Sequence, residues 1–118
     1  MNADQIAEIR PALREAIEGA PDTCATFTVE GEKEKWMQVV DCTINAAYPH
    51  VDSPEERLKS LPLLAGTKVA SWEALKFATF DFPKLEPTTH AHWIDAYFVG
   101  VLACPPGKYH VDTAFEKL

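Results

Sequence analysis

The chain has only three cysteines in its 118 residues, Cys24, Cys42 and Cys104, and no two of them form a C-x-x-C pair. An odd, widely spaced set argues against a disulfide framework, and the thiols read as reduced, buried side chains. Long apolar runs are missing as well. The longest, Ala96 to Cys104, is about half of what a membrane-spanning helix requires. The polar start Met1-Asn2-Ala3-Asp4-Gln5 does not read as a signal peptide, so a cytoplasmic protein is expected, with no membrane partner. Clustered lysine and arginine are absent too. With 11 basic against 18 acidic residues the formal charge is -7, and this argues against nucleic acid, because neutralising phosphates requires grouped cations. A basic protein partner matches that balance. No glycine-rich phosphate loop, G-x-S-x-G or H-E-x-x-H pattern occurs, so no specific enzyme signature is present and no cofactor is implied.

What is present describes an ordinary folded domain. The hydrophobic fraction of 47% and the charged fraction of 25% are those of a globular protein without repeats or low-complexity tracts. One domain of this length buries roughly two thirds of the surface its unfolded chain exposes, enough to fold without metal or disulfide.

The most apolar and aromatic stretch runs from Ala91 to Cys104 and carries one formal charge, Asp95. Ile94, Tyr97, Phe98, Val101 and Leu102 recur at three- and four-residue spacing, with Trp93, Ala96 and Ala103 widening the stripe, which favours a central core helix over a buried strand. Thr88 or Thr89 is the expected cap and Cys104-Pro105-Pro106-Gly107 the expected stop. Asp95 is expected on a narrow exposed side, near the favourable N-terminal dipole.

Along the chain, Ile6, Ile9, Leu13 and Ile17 stripe an N-terminal helix that ends at Gly19-Ala20-Pro21 and is bent or frayed at Pro11. Ala25, Phe27 and Val29 alternate with Cys24, Thr26, Thr28 and Glu30 as in a half-buried strand, and Gly31 supplies a turn into a second strand opening at Trp36. One parity then holds through Val40, Ile44 and Tyr48. Either one long strand or two strands with a turn near Asp41 fits. Ser53-Pro54-Glu55-Glu56 matches a capping box for a short helix with Leu58 and Leu61 inward, stopped by Pro62, before Ala65-Gly66-Thr67 turns the chain. From Val69 to Phe82, Ser71 could cap a helical turn through Trp72 and Leu75, whereas Ala78, Phe80 and Phe82 alternate as a strand; a strand is favoured for the second half. Pro83 to Thr89 reads as a loop, and Tyr109, Val111, Thr113 and Phe115 as a final strand or extended tail.

Two clusters could carry chemistry. His90-Ala91-His92 would suggest a metal, but an i, i+2 pair diverges on a helix and no third ligand is marked, so no metal is expected. Cys104 with His110 and Asp112 could be written as nucleophile, base and orienting acid, yet sequence order places no contact between them. A buried structural cysteine is the simpler reading.

The N-terminal helix, Phe27-Thr28-Val29-Glu30 with Trp36-Met37-Gln38-Val39-Val40, Ser53-Pro54-Glu55-Glu56-Arg57-Leu58 with Leu61, and the helix through Ile94 to Cys104 leading to Pro106-Gly107-Lys108-Tyr109 follow one another in an order that resembles the TY-Chap family. Members of that family are similar in fold to YbjN-like proteins and type III secretion chaperones. The chain departs from it in lacking a glycine-marked turn near Asp41-Cys42. The resemblance implies an antiparallel sheet with helices on one face, and a role in binding other proteins.

The expected architecture is therefore a single two-layer α+β domain, an antiparallel sheet with Phe27, Val29, Val40, Ile44 and Tyr48 inward beneath the central helix. The expected function is non-enzymatic protein binding through an acidic surface with aromatic anchors; a small Cys104/His110 enzyme and a structural subunit of an assembly are the alternatives. Trp72, Phe77, Phe80 and Phe82 are the candidate partner-binding residues, since alternation sends Phe77 opposite to Phe80 and Phe82 and leaves aromatic surface uncovered. The N-terminal stripe could instead meet a copy of itself, giving a homodimer.

Overall fold

The computed structural model describes residues 3–18, 23–40, 43–58, 68–82, 87–105 and 108–117. The elements are α1 (Ala3–Glu18), β1 (Thr23–Val29), β2 (Glu32–Val40), β3 (Thr43–Ala47), α2 (Pro54–Leu58), β4 (Lys68–Glu73), β5 (Phe77–Asp81), α3 (Pro87–Gly100) and β6 (Val111–Lys117). All six strands form one antiparallel sheet in the order β4-β5-β3-β2-β1-β6. This is the α+β arrangement the alternation called for.

Register explains which residues enter the core. One row crosses the whole sheet as Thr113, Phe27, Met37, Ala46, Ala78 and Trp72, and the next as Phe115, Ala25, Val39, Ile44, Phe80 and Val69. The middle members of both rows are buried. Antiparallel partners share a face, so the residues opposite Ile44 and Ala46 must also point inward. Val39 and Met37 therefore fill the core, and Val40 takes the outer face, contrary to the parity expected from sequence. The stretch from Trp36 to Tyr48 is two strands, and β2 opens at Glu32. Gly31, at φ 78, forms the β1–β2 turn in the left-handed region that costs glycine least.

Two helices share the cover of the inner face. Ile9, Ala12, Leu13 and Ala16 of α1 are buried in the common core, and α1 lies beside α3 over the β2, β1 and β6 side. Ile9 and Leu13 of the stripe thus cover the sheet. Pro11 sits within α1 with its ring exposed. The amide it lacks is on the wet side, where water can serve the carbonyl left without a donor. α3 covers β3 and β5 through rings: Phe80 meets Trp93 and Tyr97 at 5.2 and 5.6 Å, Phe82 meets Trp93 at 4.8 Å, and the Tyr97 hydroxyl donates to the Ala47 carbonyl at 2.8 Å. Edge-on ring pairs at these distances add stabilisation beyond area burial.

α3 begins at Pro87, before both threonines expected to cap it, and ends at Gly100. Its last carbonyls are satisfied by a loosened turn. Val101 and Leu102 amides both donate to the Tyr97 carbonyl, and the Cys104 amide reaches that of Phe98 across Ala103, whose φ is 58. Asp95 corrects a second expectation. It is only 7% exposed and accepts a 2.6 Å hydrogen bond from the Tyr109 hydroxyl, because a carboxylate on a helix buried nearly all round needs a donor.

The serine cap of α2 is present, with the Glu55 amide donating to Ser53 Oγ at 3.3 Å. From Val69 to Phe82 the chain forms a hairpin of β4 and β5, with strand in the first half where a helical turn was an alternative. The expected turns at 19–21, 41–42, 65–67 and 106–107, the stop at Pro62, Leu61, and the side chains of Ile6, Ile17 and Leu58 lie outside the described residues.

Candidate protein interaction surface

The four aromatic residues singled out from sequence are not brought together. Phe80 and Phe82 face α3 and are buried, so they belong to the core and leave the candidate surface. Phe77 lies half-buried on the opposite, outer face beside Ala47. Trp72 alone stays accessible, at 40%, on the inner face of edge strand β4.

Trp72 has unexpected neighbours. Its ring stands edge-on to Tyr48 at 6.0 Å, and Tyr48 stands edge-on to His50 at 5.4 Å. The His50 carbonyl accepts from the Leu75 amide at 3.0 Å, while His50 Nε2 donates to the Val101 carbonyl at 2.8 Å. The loop after β3 and the β4–β5 turn are thereby pinned together against the end of α3. Leu75 is 65% exposed and Val51 71%. Of the four large hydrophobic side chains exposed among the described residues, three therefore lie on the segments joined at this corner; the fourth is Phe115 on β6.

Leu75 carries a further anomaly. The Lys76 amide donates to the Glu73 carbonyl, closing a β-turn whose third residue is Leu75 at φ 63. That position favours glycine or asparagine, since a branched side chain there crowds the following carbonyl. The backbone hydrogen bond to His50 accounts for the conformation but not for the leucine. Beside Leu75, a cleft of about 280 Å³ is lined by Tyr48, Pro49, Lys76 and Leu102 among others. Its charged lining is Glu34, Lys35 and Lys76, with Lys76 held by Glu73 at 3.2 Å, while Asp52, Glu55 and Glu56 are exposed on the segment that follows Val51.

The outer face of the sheet is different in character. Ala114, Thr26, Gln38, Asn45, Thr79 and Ser71 form an unbroken row of small and polar residues, tied in part by a 3.0 Å hydrogen bond from Thr79 to Asn45. A shallow groove of about 810 Å³ there is bounded by Thr28, Gly31, Trp36 and Asp112. Its charged lining is Glu34, Asp112 and Lys33, with no histidine or cysteine among the described lining residues.

The cysteine reading does not gain from the geometry. Cys104 is buried, and burial pushes its thiol up to about 11, with Lys35 lowering it and Glu32 and Asp95 raising it. A nucleophilic thiol needs the opposite shift. His90 is 1% exposed, both ring nitrogens lack a hydrogen-bond partner among the described residues, and burial lowers its pKa. His92 is half-exposed on the same helix. Among the described residues, no group of three or more His, Cys, Asp or Glu is placed to hold a metal ion, and no helix is long and apolar enough to cross a membrane.

Sequence reasoning missed Val51 and Leu75. Val51 was legible as an apolar residue inside the loop Pro49 to Asp52. Leu75 was not, because Glu73-Ala74-Leu75-Lys76 holds no Gly, Pro, Asn or Asp to mark a turn. Comparisons of the chain with protein-family models, with curated proteins and with solved structures return no match.

Proposed function

We propose that this protein is a non-enzymatic binding module that holds another protein at the corner formed by Val51, Leu75 and the adjoining ring of Trp72. The observation that carries the reading is Leu75, a large apolar side chain held exposed in a left-handed turn position that glycine would occupy at less cost. Exposed apolar anchors beside a pocket supply binding energy when a partner excludes water from them. The exposed carboxylates Asp52, Glu55 and Glu56 next to Val51 and the overall charge of -7 select the partner: a protein segment presenting a large apolar side chain between lysines or arginines. A cytoplasmic setting suits the two buried free thiols Cys24 and Cys104. The resemblance to TY-Chap proteins belongs to the same proposal, since it implies binding of proteins rather than catalysis.

Leu75→Gly tests it. The substitution removes the anchor and relieves the turn, so the melting temperature should hold or rise while affinity for a basic, apolar partner peptide falls at least about tenfold. Unchanged binding by a folded Leu75→Gly protein would refute the site.

A further inference from the structure

The two edges of the sheet, β4 and β6, differ in one respect that decides what can lie beside β4. Pairing between β4 and β5 shifts at Ala70, since Val69 opposes Phe80 while Ser71 opposes Thr79. This extra residue changes the alternation of the strand. Val69 and Trp72, three apart, both fall on the inner face, and Lys68, Ser71 and Glu73 fall on the outer face. Read from either end, the strand then repeats itself: an outer charge, an inner apolar residue, the Ala70-Ser71 bulge, an inner apolar residue, an outer charge.

We infer that β4 pairs with β4 of a second copy of this chain, antiparallel about a two-fold axis between Ala70 and Ser71, making one continuous twelve-stranded sheet. In that register Lys68 stands opposite Glu73 of the second copy, and Val69 stands opposite Trp72, each pair occurring twice. Opposite charges face across the join, and so do a β-branched and an aromatic residue, the two kinds of cross-strand pair that stabilise sheets. Without the bulge the same register would set inner residues against outer ones and could not form. The inner rows become continuous: Phe80 and Val69 of one copy run on to Trp72 and Ala78 of the other. Every described residue of β4 except Val69 is exposed, and among the described residues β4 pairs with β5 alone, which leaves its other edge to offer backbone groups. β6 offers a less suitable edge, because pairing with its own copy about Ala114 sets Asp112 against Glu116 twice. An isologous contact of this kind closes on itself as a dimer.

Trp72 is then shared between the dimer seam and the corner proposed to bind a partner, while Leu75 and Val51 lie beyond the strand and remain free for it. The inference therefore does not rest on the binding proposal.

Charge reversal tests both the contact and its register. Sedimentation equilibrium across a hundredfold dilution should show the wild type dissociating from a dimer. Lys68→Glu alone and Glu73→Lys alone each turn two attractive pairs into two repulsive ones and should raise the dimer dissociation constant roughly ten- to a hundredfold. The double variant should restore the dimer, and an equimolar mixture of the two single variants should form a heterodimer. Both residues are exposed, so melting curves serve to establish that the variants fold. A wild-type monomer mass at every concentration, or a dimer indifferent to both single reversals, would overturn the inference. Leu75→Gly should leave the mass unchanged and Lys68→Glu should leave Leu75-dependent binding in place, which separates the two proposals.

Discussion

His90→Leu should make this protein more stable in acid, by an amount that follows from what surrounds the imidazole. The ring sits on α3 with 1% exposure, edge-on to Phe82 at 5.4 Å, and neither nitrogen has a hydrogen-bond partner among the described residues. A buried polar group without a partner costs about 1–3 kcal/mol. Leucine removes that cost and forfeits the ring contact, about 0.5–1.5 kcal/mol, so at pH 7.5 the change should lie between a loss of about 0.5 and a gain of about 2.5 kcal/mol. Protonation adds a pH-dependent part. Burial lowers the folded-state pKa of His90 below 6.5, so from 6.5 downward the unfolded chain binds a proton that the folded chain refuses. Stability is full above 6.5 and is lost as pH falls through that value toward the folded one, at no more than about 1.4 kcal/mol per pH unit. His50, His92 and His110 are present in both proteins and cancel in the difference. Urea unfolding followed by tryptophan fluorescence at pH 7.5, 6.5 and 5.5 measures it. The advantage of His90→Leu should widen as pH falls across that range, by no more than about 1.4 kcal/mol per pH unit. A constant difference, or a loss above about 2 kcal/mol at pH 7.5, would refute the argument.

Three further substitutions or reactions follow from the packing. Tyr109→Phe strips the buried Asp95 carboxylate of its 2.6 Å donor and should cost about 1–3 kcal/mol in urea unfolding, more than Asp95→Asn, which keeps an acceptor for the hydroxyl. Val101→Asp places an unpaired charge in the core at the end of α3 and should cost about 3–5 kcal/mol, visible as a collapse of the melting temperature. Native Cys104 should alkylate far more slowly than the same thiol in denaturant, since it is buried and its pKa is raised to about 11; fast native alkylation would revive the enzyme alternative.

The sheet was legible where one side of the chain is apolar and the other wet. Ala25, Phe27 and Val29 alternate because β1 separates a core from an open face, and Ser53-Pro54-Glu55-Glu56 announces α2 because a cap is a local chemical signal. Parity failed at Val40. An apolar residue on an outer face looks like core in sequence, and the two-residue step to Thr43 that resets the alternation carries no glycine. Asp95 misled for a similar reason: its partner, Tyr109, stands 14 residues away, and no local rule pairs them. The corner depends on such contacts throughout. Tyr48, His50 and Leu75 meet only because the β3 loop and the β4–β5 turn fold onto the same end of α3, so Trp72 could be anticipated but its companions could not.

The binding proposal is tested most directly by photo-crosslinking in the native host, with a benzophenone amino acid placed at Leu75 in one strain and at Thr79, on the outer face, in another. The account predicts a discrete crosslinked partner with a basic contact segment from position 75 and none from position 79. Crosslinking from Thr79 with none from Leu75 would contradict it.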